Sequence, residues 1–183
     1  MAIWFPVERR ALSLDFGNTT YLRNGVHTDG LAEPGGVADW THAIGVEPVP
    51  AAAAPALIEL RDAIRTLFRA TIDGVAPPAA ARKVVNEAAK AAPGWLELNR
   101  DGTTARTRRG ADPATNLRAQ LAMDAIALVT GPHRALLHAC PAEGCRGFFL
   151  QHHPRRGFCS PGCATRTRVA RHYHRHNADD SCG

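Results

Sequence analysis

The sequence has no run of about 20 apolar residues, the length a bilayer-spanning helix requires. Its opening, MAIWFPVERRALSLDF, lacks the basic flank and apolar stretch of a secretory leader. The expectation is a cytoplasmic protein without a membrane partner. Residues 1–130 contain no internal repeat, which removes solenoids and arrays. No nucleophile–base pair, glycine-rich phosphate loop or carboxylate dyad can be recognised by spacing, so nothing in the motifs demands an enzyme. Acid is scarce towards the C-terminus: residues 131–183 hold Glu143, Asp179 and Asp180 against eight arginines, with no lysine. That segment accounts for the whole formal net charge of +5 and for seven of the nine histidines.

Cysteine is also sparse, five in 183 residues, but four of them are paired. Cys140 and Cys145 lie in CPAEGC, Cys159 and Cys163 in CSPGC, with a short segment between that can fold back as a hairpin. Two thiol pairs at this separation suit the tetrahedral sulfur shell of one structural Zn2+, closed and therefore not catalytic. Two disulfides, disfavoured in a reducing compartment, or four unrelated thiols are the competing readings. A Cys3His shell using His138, His152 or His153 is a variant of the zinc reading. Ser160 as N-cap and Pro161 at the first helical position start a helix that carries Cys163 in its first turn, where the dipole favours a thiolate. Knuckle, hairpin and ligand-bearing helix together describe a treble-clef-like zinc finger. Cys182, in the polar tail NADDSCG, is left unpaired.

Ahead of the finger the patterns are mostly helical. Ala11–Phe16 is apolar and reads as a strand or a helix start; Arg23-Asn24-Gly25 is a turn; residues 37–46 form a short helix ending at Gly45. Leu57, Leu60, Ile64, Leu67 and Phe68 recur at helical spacing in Leu57–Ile72, and Gly74 ends that helix. Pro77-Pro78 opens another. Asp101-Gly102 centres a β-hairpin, and Asp112 followed by Pro113 caps a long helix running to Gly131. The fold class is α+β: a mostly helical domain with a small hairpin over 1–130, the finger over 131–177, and a disordered tail over 178–183. Within the finger, Gly147–Leu150 and Gly157-Phe158 are expected as the two hairpin arms. Phe148, Phe149 and Phe158 are expected as the core beside the metal, with Val169/Ala170 and Tyr173 facing the finger from the last helix.

These residues resemble the CGNR zinc-finger family, which usually follows an N-terminal ABATE domain. The resemblance rests on Cys140 and Cys145, Phe148-Phe149-Leu150, Arg155-Arg156, Phe158-Cys159, and Cys163-Ala164-Thr165-Arg166 leading to Val169-Ala170-Arg171-His172. The tetrad that names the family keeps its Cys and Arg here, with Ala164 and Thr165 in place of Gly and Asn. LDFGNT (14–19), Asp39-Trp40 and LRDAIRTLF (60–68) are similar to the ABATE half. The resemblance implies a stress-linked, bacterial-type transcription regulator.

A basic surplus confined to a zinc module is the footprint of a polyanion binder. The expected partner is DNA, touched by Arg155 and Arg156 from the loop and by Arg166, Arg168, Arg171 and Arg175 along the helix. One finger covers little area, so a homodimer is the expected binding unit. The alternative comes from another class: a small-molecule effector or substrate held near Asp15, Asn18, Asp39, Trp40, His42 and Trp95, with the finger purely structural. His172 and His176, at i and i+4, could share a helix face around a second metal; a solvated basic face is the competing reading.

Overall fold

The computed structural model describes residues 11–108 and 111–179, leaving aside the side chains of 95–96, 104–108 and 174–179. Ile3–Phe5 and Cys182 lie outside the described residues, as do the side chains of Trp95, Arg175 and His176. Ala11–Phe16, open between strand and helix in the sequence, belongs to a short helix, α1 (Leu12–Gly17). A two-residue turn then joins β1 (Thr20–Arg23) to β2 (Val26–Asp29), with Arg23 paired to Val26. Asn24 and Gly25 both have positive φ, 50° and 81°, the conformation that lets a tight hairpin follow the twist of its strands. α2 (Gly36–Ile44) ends, as its sequence predicts, at a left-handed Gly45.

α3 (Ala54–Ile72) is the central pillar, packed against α1, α4 (Ala79–Ala91), α5 (Pro113–Thr130) and the strand β5 (Leu137–Ala139). Its predicted stripe Leu57, Leu60, Ile64, Leu67 and Phe68 is buried. Between α4 and α5 stands the hairpin β3 (Gly94–Leu98) and β4 (Thr104–Arg108) around the Asp-Gly turn. Asp112 caps α5 as expected, its carboxylate accepting from the amides of Ala114 and Thr115.

One polar residue sits inside the α3 stripe. Arg61 follows Leu57 by one turn and is only 2 % exposed. Its guanidinium forms a bidentate pair with Asp29 at the end of β2, 2.5 and 2.8 Å, and reaches Asp62 at 2.9 Å. Burial alone would push the Asp29 carboxyl up, but the Arg61 hydrogen bonds and charge, with the amides of Leu31 and Ala32, hold it below its usual range. A buried guanidinium in this position is tolerated because its charge is matched; removing one partner of such a pair typically costs about 3–5 kcal/mol.

The finger departs from its expected layout, first of all in its hairpin. Its hairpin is β5 paired with β6 (Phe148–Leu150), Leu137 opposite Leu150, with the first cysteine pair in the connecting loop. Gly157-Phe158 forms no strand. The connection before it is polar and exposed (His152, His153, Pro154, Arg155), and Pro154 has no amide proton for a ladder. α6 (Pro161–Asp179) closes the described chain and runs past His176. Of the residues expected to face the finger, Ala170 is half-buried, whereas Val169 and Tyr173 are 47 % and 64 % exposed.

The three phenylalanines also part company. Phe158 packs by the cysteines as expected, whereas Phe148 enters the main core with Leu137 and Leu150. Its ring meets Phe68 edge-on at 5.5 Å, with the guanidinium groups of Arg65 and Arg69 over its face at 5.1 and 5.7 Å. Phe149 is buried between His138 and the guanidinium of Arg156. Composition changes near residue 130, but the hydrophobic core runs across that point.

Candidate metal centre

The Sγ atoms of Cys140, Cys145, Cys159 and Cys163 lie within 4.8 Å of one another, and none of the four is in a disulfide. The Cys145–Cys159 and Cys159–Cys163 sulfurs are 3.6 Å apart, and Cys163–Cys145 are 3.7 Å apart. Zinc–sulfur bonds of about 2.3 Å in a tetrahedron place the sulfurs roughly 3.8 Å apart, close to the three spacings among Cys145, Cys159 and Cys163. Among the described residues the cluster contains no histidine, which selects the four-cysteine shell over Cys3His. The cysteines form a centre for one structural Zn2+, whose chemistry is to hold the finger folded.

Each ligand is set by its local sequence. Gly144, with φ of 70°, turns the chain within the first pair. The Cys145 amide donates to the Ala142 carbonyl, while Gly147 N–H points at Cys145 Sγ at 3.3 Å, stabilising negative charge there. Ser160 caps α6 as predicted, its Oγ accepting from the Cys163 amide at 3.2 Å. Arg166 reaches back from the next turn to the Glu143 carbonyl (3.3 Å) and to Cys163 Sγ (3.7 Å). That guanidinium ties α6 to the knuckle and lowers the negative charge of the sulfur shell.

The thiols share their protons unequally. The hydrogen bonds from Cys145 and then Cys159 hold the Cys140 thiol down at about 2. The same bonds act in the opposite sense on the donors: Cys140 pushes Cys145 up to about 11, and Cys140 with Cys145 pushes Cys159 up strongly. The cluster as a whole therefore resists full ionisation, and a metal that binds it must displace thiol protons. Loading the apoprotein with zinc at pH 7 is expected to release protons from the cysteine cluster, read in weakly buffered solution with an indicator. Zinc affinity should rise with pH accordingly. Zinc uptake without proton release would mean that the sulfurs are already ionised in the apoprotein.

The predicted arginines divide into two groups. Arg166 is engaged at the knuckle and Arg156 is half-buried beside Phe149. Arg155, Arg168 and Arg171 are exposed. The residues singled out for a small molecule, Trp95 aside, have varied surroundings. Trp40 is fully buried against Phe16 with ring centroids 5.0 Å apart, and Asp15 is buried within α1. Asp39 is half-buried and His42 exposed on α2. Asn18 is committed to the finger: its amide bonds both the N–H and the carbonyl of Phe148. Arg61, Arg65 and the Ser13–Asp124 pair (Oγ to Oδ2, 2.6 Å) escaped sequence reasoning, since their partners lie 32 to 111 residues away.

Comparison with known proteins agrees with this geometry. Residues 10–132 match the model of the ABATE family, described as "putative stress-induced transcription regulator". Residues 137–176, which contain all four cysteines, match the CGNR zinc finger. No curated protein matches the chain.

Proposed function

The chain belongs to the ABATE family and carries a CGNR zinc finger, and from that premise we propose that it is a transcription regulator that grips duplex DNA with the outer face of α6. The observation that carries this reading is the exposure of Arg168 and Arg171, one turn apart on α6. The zinc centre fixes the base of this helix, and no acidic residue occurs on it before Asp179. Arg175 continues the row in sequence, and Arg155 adds a cation from the finger loop. Guanidinium groups are suited to such a surface because they donate two parallel hydrogen bonds to phosphate or to a guanine edge. Arg156 and Arg166 support the platform from behind. The cytoplasm is the compartment this reading assigns, and a homodimer is the binding unit, since one finger buries little surface.

Fluorescence anisotropy with random duplex DNA at two salt concentrations tests the reading. Arg168→Ala/Arg171→Ala is expected to weaken binding at low salt and to reduce the slope of log K against log salt by about 2, one phosphate per arginine. Equal affinity and slope in both proteins would remove α6 from the interface. The absence of any binding by the zinc-loaded wild type would sink the proposal.

A further inference from the structure

The arm of the knuckle that carries Cys145 leaves the metal centre through Arg146, Gly147 and Phe148, and the first and last of these are held from the N-terminal part of the chain. Arg65 on α3 donates from one guanidinium nitrogen to the Gly17 carbonyl and from the other to the Arg146 carbonyl, 2.8 Å away. Asn18, which ends α1, donates from Nδ2 to the Phe148 carbonyl at 2.9 Å and accepts the Phe148 amide on Oδ1 at 2.8 Å. Its side chain thus occupies the outer edge of β6 as a neighbouring strand would, while β5 takes the inner edge. Between these two anchors sits Gly147. Its N–H donates to Cys145 Sγ, its carbonyl accepts from the Cys140 amide, and a Cβ there would lie 3.0 Å from Cys159 Sγ and 3.3 Å from Asn18 Oδ1. One glycine backbone therefore separates the Asn18 amide from three of the four ligands.

We propose that Asn18 and Arg65 are positioning residues of the zinc centre, holding residues 146–148 in the metal-ready conformation, so that the N-terminal part of the chain sets how tightly the finger keeps its metal. The argument is one of preorganisation. A loop free to leave the productive geometry must be ordered by the metal, and the cost appears as weaker binding. A loop held by a bidentate amide and a guanidinium is ordered beforehand. Hydrogen-bonded partners just outside a zinc shell commonly change metal affinity by about 10–100-fold. Coupling of this kind is reciprocal: zinc must also stabilise the docking of α1 against β6.

The test is zinc competition with a chromophoric chelator, using the full-length zinc-loaded protein. Asn18→Ala is compared with Asp112→Ala, which also removes side-chain-to-backbone bonds at a helix end but far from the knuckle in sequence. The expected result is zinc affinity lowered about tenfold or more by Asn18→Ala and unchanged by Asp112→Ala, with both proteins still folded by circular dichroism. Unchanged affinity in Asn18→Ala overturns the proposal. So does an equal loss in both variants, which would reduce the effect to general stability. If Asn18→Ala does not fold, Asn18→Asp, which keeps the acceptor for the Phe148 amide and loses the donor to its carbonyl, is read by the same criteria, as is Arg65→Lys. None of these outcomes depends on DNA binding.

Discussion

Replacing Cys159 by serine is expected to empty the metal centre and melt the finger, taking zinc from about one ion per chain to nearly none. Cys159 is close to two other ligands at once, 3.6 Å from both Cys145 and Cys163, so its loss opens the shell on two sides. A serine hydroxyl stays protonated at neutral pH and does not replace a thiolate. Little else would hold the two cysteine-bearing loops, 140–145 and 158–163, in place: the apolar cluster here is Cys140, Ala142 and Cys163 with Cys145, Phe158 and Cys159 around them. Four of those six are the ligands themselves. Zinc-finger peptides draw an apparent 10–16 kcal/mol from the metal, and nothing in this cluster replaces that. α6 should fray with it, because its first turn is anchored through Cys163 and Arg166 and its outer face is exposed. Metal analysis reads the first effect and far-ultraviolet circular dichroism the second, the helices α3 to α5 keeping their share of the signal. Full zinc content in Cys159→Ser would take Cys159 out of the site.

Why the sequence disclosed the metal centre and not its supports follows from the range of the interactions involved. The ligands of each pair lie only four or five residues apart, and Ser160-Pro161 opens α6 by local chemistry, so pattern alone placed all four. The helices were legible for the same reason: Asp112-Pro113 and the Leu57–Phe68 stripe act within a few turns. What pattern could not show was the exchange between distant segments. Phe148 reads as a finger residue because it follows the knuckle, yet it packs on Phe68, 80 residues earlier. Asn18 resembles a ligand-site residue until the Phe148 backbone is placed against it. Arg61 sits in an apolar stripe where its charge would be prohibitive, and only β2, bringing Asp29, makes it admissible. Arg166 illustrates the limit within the basic helix itself. Its charge matches that of Arg168, but its position one turn above Cys163 directs it to the knuckle.

The same shared packing makes the stability of the two sequence regions interdependent, and a chain ended before Gly131 is where that shows most. Such a chain keeps every helix of the N-terminal region and loses Leu137, Phe148 and Leu150 from the main core. All three are at least 97 % buried. Full burial of a leucine or phenylalanine side chain contributes about 1.5–3 kcal/mol, so roughly 5–9 kcal/mol of apolar burial is removed at one stroke. Domains of this size are stable by about 5–15 kcal/mol in total. The edge of Phe68 and the side of α3 that meets β5 would then face water, creating an apolar patch where the finger had covered it. The truncated protein is therefore expected to retain helical circular dichroism, bind a hydrophobic dye and lose a sharp thermal transition, the behaviour of a collapsed chain without fixed packing. A cooperative melt close to that of the full chain would mean that residues 1–130 close their own core, and that the finger contributes only the basic helix and its zinc.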